Sequence, residues 1–171
     1  MAKHILVPVD GGSQSERALS TALSLAGCFG ARVTAFYALP SERGYSYATV
    51  PAFVDRSLLS QHTIKEIHDL IGEQARHYLR ELVAKHQQAE SAPSSVAIGW
   101  DCTESDHPDR AILNTAHRLG CDLIVMASHG RRGMEALLLG SETHKVLTHS
   151  DLPVLVVPPD GHAAHACVGS P

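Results

Sequence analysis

The chain has 171 residues, 44% of them hydrophobic and 19% charged, a composition that can bury a core in one domain with no need of disulfides or a structural metal. Fourteen lysines and arginines against eighteen acidic residues leave a net charge of -4, and no basic run could neutralise a row of phosphates, which argues against DNA or RNA as a partner. No apolar stretch approaches the roughly 20 residues needed to cross a bilayer, Met1-Ala2-Lys3-His4 runs straight into an apolar segment, and Cys28, Cys102, Cys121 and Cys167 lack CxxC spacing. The expectation is a soluble protein, away from membranes, in a reducing cytoplasm.

Ile5-Leu6-Val7-Pro8-Val9 is a short apolar run stopped by Asp10-Gly11-Gly12, as in a buried parallel strand entering a loop. Ser13 or Ser15 can then cap a helix in which Ala18, Ala22, Leu25 and Phe29 recur at helical spacing until Gly30 ends it. Residues 32–39 alternate small and large apolar side chains up to Pro40 and predict a second strand. Residues 41–55 mix Pro, Gly, Ser and Tyr without a period and predict a surface loop, either a plain insertion or a lid or interface element. From 57 to about 88, Ile64, Ile67, Ile71, Ala75, Tyr78 and Leu82 line one side of a long helix interrupted only by Gly72. Residues 94–100 predict a third strand, 109–119 a helix closed by Gly120, 122–127 a fourth strand, 141–148 a helix and 153–157 a fifth strand. This alternation predicts an α/β fold over residues 1–158, a five-stranded parallel doubly wound sheet with helices on both faces. Residues 159–171 predict a disordered tail.

In such a sheet, ligands sit beyond the carboxyl ends of the strands, where the strand order reverses. The first strand ends in Pro8-Val9-Asp10, and the fourth in Met126-Ala127-Ser128-His129-Gly130, followed by Arg131-Arg132-Gly133 and then Gly140-Ser141. Glycine admits a close anion, and a helix beginning at Ser141 offers that anion free N–H groups and the positive end of its dipole. Asp10 is placed to accept hydrogen bonds from ribose hydroxyls. These features suit a mononucleotide crevice, yet glycine-rich turns also serve simply to reverse the chain in any α/β protein. Neither GxxxxGK[ST] nor a GxGxxG after a strand is present, so any phosphate loop is of another kind.

The segments Ile5-Leu6-Val7-Pro8-Val9-Asp10-Gly11, 126–133, 137–141 and 153–157 together resemble the universal stress protein family, from residue 3 to about 158. The signature of that family's nucleotide-binding branch is G-x2-G-x9-G-[ST]; Ala127, Gly130, Gly140 and Ser141 supply A-x2-G-x9-G-S, with alanine for the first glycine. The resemblance implies a Rossmann-like, adenine nucleotide α-hydrolase-like fold and ATP as the ligand, with Mg2+ as a companion on the phosphates. It places Pro8, Val9 and Asp10 beside adenine and ribose, Ala38 where its backbone bonds adenine, and Met126 and Ala127 against the ribose. His129, Gly130 and Arg131 would open the phosphate loop, while Gly140, Ser141, Glu142 and Thr143 would donate backbone or hydroxyl groups to the triphosphate. Arg131 and Arg132 either add charge there or face solvent. The methyl of Ala127 weakens binding rather than abolishing it, unless the backbone there needs a positive φ or the ribose rests on the Cα. A homodimer also fits the family, through Pro153-Val154-Leu155-Val156-Val157, an apolar edge strand whose pairing with its copy removes an aggregation hazard.

Twelve histidines invite a metal site, but HExxH is absent and no Cys/His cluster has zinc-finger spacing. His62, His68, His77 and His86 read as solvated positions along the long helix, and no metal site is expected. An enzyme activating carboxylates with ATP would carry an SGGxDS-like loop or a HIGH-type motif, and an esterase-like hydrolase a G-x-S-x-G elbow; none occurs. With no general base beside the phosphate loop, ATP hydrolysis would be slow at most, and the expected role is a nucleotide-dependent stress-response or signalling module. The alternatives are a dimeric stress protein that acts through protein contacts without nucleotide, and a weak ATPase.

Overall fold

Strands and helices alternate through the computed structural model, which describes residues 2–44, 50–51, 53–57, 63–88, 96–128 and 139–159. In chain order they are β1 (His4–Pro8), α1 (Ser13–Phe29), β2 (Arg32–Leu39), α2 (Ile64–Gln88), β3 (Ile98–Glu104), α3 (Pro108–Leu119), β4 (Leu123–Ala127), α4 (Ser141–His149) and β5 (Val154–Val157). Every pairing is parallel and the order across the sheet is β3-β2-β1-β4-β5. The chain leaves β1 on one side for β2 and β3, then returns to the other side for β4 and β5. The order therefore reverses between β1 and β4. No described helix is long and apolar enough to cross a membrane.

The two-residue period of the strands sorts their side chains into two cores. Ile5, Val7, Val33, Ala35, Tyr37, Val125 and Ala127 pack under α1 and α2, with Leu19, Ala22, Ile71, Ala75 and Leu79. Leu6, Phe36, Ile124 and Met126 face the other way, onto Ala111, Ile112 and Ala116 of α3 and Val146 of α4. Ile5, Leu6 and Val7 are wholly buried because β1 is central and covered on both faces, which is why it reads as an unbroken apolar run. Gly30 and Gly120 stop α1 and α3 at φ 66° and 64°, a left-handed turn that costs glycine nothing and lets its N–H cap the last carbonyls.

Several boundaries differ from the sequence expectation. The N-cap of α1 is Gly12, not a serine: Ser13 is already helical, and Ser15 turns its hydroxyl back to Asp10 and Gly12. Within the described residues α2 starts at Ile64 rather than near 57, behind Thr63, whose N–H and hydroxyl both donate to Glu66 Oε2 (2.8 and 2.9 Å) as in a capping box. Ile64 is consequently 61% exposed and not on the apolar side, while Leu79 and Val83 are. β3 extends to Glu104 instead of ending at Trp100, because its partner β2 continues to Leu39 opposite Glu104. Within the predicted loop, Val50 and Val54 do not lie on the surface but are buried in the α1–α2 core. The tail, residues 159–171, lies outside the described residues except for Pro159.

His4 shows a buried polar group satisfied on both sides. Leu119 O can only accept, so Nδ1 carries the proton (3.1 Å), and Nε2 accepts from Thr34 Oγ1 (2.8 Å). Burial pushes the imidazole below its ordinary value of 6.5, outweighing the Leu119 bond. A group whose folded pKa is lowered contributes stability above its unfolded value that is lost as pH falls towards its folded one. The difference in urea midpoint between wild type and His4→Gln is therefore expected to shrink as pH falls from 7.5 to 5; an unchanged difference would rule out a neutral His4.

Candidate functional site

The crevice beyond β1 and β4 is built by three turns. After β1 the chain reverses at Asp10-Gly11-Gly12, where Gly11 takes φ 81°. Asp10 Oδ1 accepts from Gly12 N (2.9 Å) and from Ser15 Oγ (2.8 Å), and Ser15 Oγ in turn accepts from Asp10 N (3.2 Å). Ser15, named from the sequence only as a cap, is thus the side chain that fixes Asp10. An Asp followed five residues later by Ser across a Gly-Gly turn was the available signal. The carboxylate is half-buried and held at the strand end by a closed set of short bonds.

The second turn follows β2. Val9 N donates to Phe36 O (2.8 Å) at the end of the β1–β2 ladder. Backbone groups two residues apart in a strand point the same way, so Ala38 directs its N–H and C=O past the end of β1 into the crevice. Side-chain alternation puts Pro8, Ala38 and Met126 on the α3–α4 face, where Ala38 and Met126 pack with the smaller core. Val9 and Ala127 belong to the opposite core, so only their backbones border this face. No described residue other than glycine has a positive φ, so the Ala127 backbone does not require glycine.

The third turn leads from β4 to α4. Ser128 N donates to Val157 O (2.9 Å), and Gly140 N donates to Ser128 O (2.8 Å), so the two ends of the connection are fastened to each other. Gly140 is the N-cap at φ -57° and ψ 149°, and no side chain among the described residues caps the helix. The first N–H groups of α4 therefore open towards the crevice with the positive end of the dipole. Thr143, buried, spends its hydroxyl on Ala127 O (2.9 Å), which seats α4 on the end of β4 and leaves its N–H as the group it can offer a ligand. Glu142 reaches away, accepting from Asp109 N of α3 (3.2 Å) and Lys145 Nζ (2.8 Å), a hydrogen bond that raises the Lys145 pKa. Ser141 is exposed at the first helical position. The structure thus brings together Pro8, Asp10, Ala38, Met126, Gly140, Ser141 and the Thr143 amide, whereas His129, Gly130 and Arg131, with Arg132 and Gly133, lie outside the described residues.

A doubly wound parallel sheet whose order reverses between β1 and β4, with a carboxylate anchored after β1 and a glycine N-cap on α4 tied to the end of β4, defines a Rossmann-like α/β protein. Residues 1–158 match the universal stress protein family, and the chain belongs to it. Universal stress protein YxiE of Bacillus subtilis is 30% identical over 157 residues, 92% of this chain and 99% of that protein. The solved structure of MJ0577 superposes with a TM-score of 0.71 over 93% of this chain and 97% of its own, at 22% identity, and shows the same Rossmann-like fold. Two further structures share the fold: a universal stress protein in complex with cAMP (TM-score 0.61, 21% identity, 91% of this chain and 97% of that one) and one from Archaeoglobus fulgidus in complex with dAMP (TM-score 0.59, 17% identity, 90% and 96%).

Proposed function

We propose that this chain binds ATP in the crevice between β1 and β4 and acts as a nucleotide-dependent module of the stress response in the cytoplasm. The observation that carries this reading is the N-terminus of α4, left without a side-chain cap among the described residues and tied through Gly140 to the end of β4, the strand that neighbours β1, which Asp10 follows. Adenine would rest on Pro8, Ala38 and Met126 and take hydrogen bonds from the Ala38 backbone, the ribose would face Asp10, and the phosphates would take the N–H groups of Ser141, Glu142 and Thr143. His129, Gly130 and Arg131 would complete the phosphate loop. Mg2+ on the phosphates would need few protein ligands. Related folds that hold cAMP and dAMP support an adenine mononucleotide as the ligand class. Asp10 and Glu142 are both engaged in structural hydrogen bonds, which suits binding with slow hydrolysis at most.

Mass spectrometry of nucleotide released from freshly purified protein, followed by calorimetry of Mg-ATP into the stripped protein, tests the reading. Bound ATP or micromolar affinity supports it. Neither nucleotide nor heat would move the chain to the ligand-free, interaction-only reading, and turnover of many per second would make it an ATPase.

Ala127 gives a sharper check. Its methyl is in the α1–α2 core, 8% exposed, and does not stand on the crevice floor. Ala127→Gly is expected to change Mg-ATP affinity by less than about three-fold while costing about 1–2 kcal/mol of stability through lost burial and added backbone freedom. A tenfold gain in affinity would mean that the methyl blocks the ribose.

The same reading includes a homodimer through β5. This strand is the sheet's edge on the β4 side, and Leu155 is 39% exposed there. Pairing with a copy would cover that row of backbone groups. Leu155→Lys is expected to convert a dimer to a monomer in analytical ultracentrifugation with Mg-ATP affinity held within about three-fold; a wild-type monomer at micromolar concentration would sink the dimer.

A further inference from the structure

Phe53, in the segment ahead of α2, lies between two tyrosines: edge-on to Tyr37 of β2 (5.4 Å, 73°) and stacked on Tyr78 of α2 (4.7 Å, 13°). Val50 and Val54 anchor this segment in the core. Between it and α2 is a cavity of about 410 Å³, lined by Phe53, Asp55, Gln74, His77, Tyr78 and Glu81. It is on the α2 side of the sheet, away from α3 and α4, and shares no residue with the nucleotide crevice. It is an open groove with one side to solvent, and its volume falls within the range of small-molecule sites, roughly 300–1,000 Å³.

The lining restricts what fits. The stacked rings of Phe53 and Tyr78 give the cavity an apolar aromatic wall, and a ring face not taken up by the stack attracts a cation. Gln74 Oε1 is buried and has no hydrogen-bond partner, so a donor is missing at that point. The buried Tyr78 hydroxyl stands near Glu16 without making a hydrogen bond of normal geometry, and burial, then the Glu16 and Asp10 charges, push its pKa up, so it stays neutral. Asp55 and Glu81 supply two carboxylates, and among the described residues no lysine or arginine lines the cavity and neither carboxylate has an ion-pair partner. The hydroxyl and amide of Ser57 hold Asp55 Oδ1 (2.7 and 2.9 Å) and keep its carboxyl below the usual range, which leaves it ionised at neutral pH.

We propose that this cavity binds a small organic ammonium ion with an apolar or aromatic body, its charge over the Phe53–Tyr78 rings and between Asp55 and Glu81, with one N–H donated to Gln74 Oε1. An anion of the same shape is repelled by both carboxylates. The site does not depend on the nucleotide reading, since its residues and its ligand charge are different.

The test is an amide NMR titration of the full chain with 2-phenylethylammonium chloride and, separately, with sodium 3-phenylpropionate. The ammonium is expected to shift the amides of Phe53, Gln74, Tyr78 and Glu81 along a saturable curve, and the carboxylate to leave them in place. Asp55→Asn combined with Glu81→Gln, both at exposed positions, should keep the native spectrum and weaken the ammonium about five-fold, the scale of exposed charge contacts. Gln74→Leu should weaken it as well. An absent or unsaturable shift, equal response to both probes, or undiminished affinity in the double variant would overturn the proposal, and a parallel Mg-ATP titration keeps its fate separate from that of the nucleotide site.

Discussion

Gly140→Asp is expected to weaken Mg-ATP binding by about 30-fold while leaving the protein as stable as before or slightly more so. Gly140 sits at φ -57° and ψ 149°, which any residue adopts, so the substitution introduces no backbone strain. Aspartate is among the best N-cap residues and gains a few tenths of a kcal/mol over glycine by accepting from the open N–H groups of α4. Those are the groups the phosphates would use, and the new charge also repels them. Binding and stability thus move in opposite directions, a pattern that simple misfolding cannot produce. Gly140→Asn occupies the same donors without the charge and should fall between the two. Calorimetry with Mg-ATP and urea midpoints on the same preparations check the pair, and undiminished affinity in the aspartate variant would place the phosphates elsewhere.

The largest stability effect is expected at Phe36. Its side chain is fully buried in the smaller core with Leu6, Ile124, Met126 and Val146, directly beneath the crevice floor. Truncation to alanine removes most of a ring and leaves a cavity that the flanking strands, hydrogen-bonded on both sides of β2, cannot collapse to fill. The expected cost of Phe36→Ala is about 3–5 kcal/mol, read as a lowered urea midpoint. Because Phe36 O receives Val9 N and the ring supports the floor, nucleotide affinity should fall as well, even under conditions where the variant is folded. A cost below about 1 kcal/mol would mean that the α3–α4 core repacks freely.

Much of the architecture could be read from the sequence because the central strands are apolar on both faces. The 4–8, 32–39 and 123–127 segments announce themselves by composition, and Gly30 and Gly120 mark helix ends through a conformation only glycine takes easily. β3 was legible only to Trp100 because it is an edge strand. Its later residues Asp101, Thr103 and Glu104 satisfy the pairing with β2 through their backbone, while their side chains are polar, Asp101 pairing with Arg118 and Thr103 and Glu104 exposed, so no apolar pattern records them. The start of α2 was misplaced for a similar reason: Ile64 fits the helical period yet sits in the first turn, beyond the core, and the Thr63–Glu66 pair was the better signal. At the site, strand ends and the N-terminus of α4 followed from topology, but the role of Ser15 did not, since a serine at a helix start has an ordinary reading as a cap. The sequence left open whether Thr143 would offer its backbone or its hydroxyl, and the hydroxyl is spent on Ala127 O, because sequence gives a residue's chemistry without saying which neighbour reaches it first.

The bond from Gly140 N to Ser128 O has a consequence for how such a chain can be altered. It ties the connection at its base, so the strand and helix on either side keep their positions whatever lies between residues 129 and 138. The entropy of closing a loop grows only with the logarithm of its length, and each doubling costs about 0.6 kcal/mol. An insertion between residues 128 and 140 is therefore expected to leave β4 and α4 in place at small cost to the fold, which makes this connection a natural place to graft a reporter.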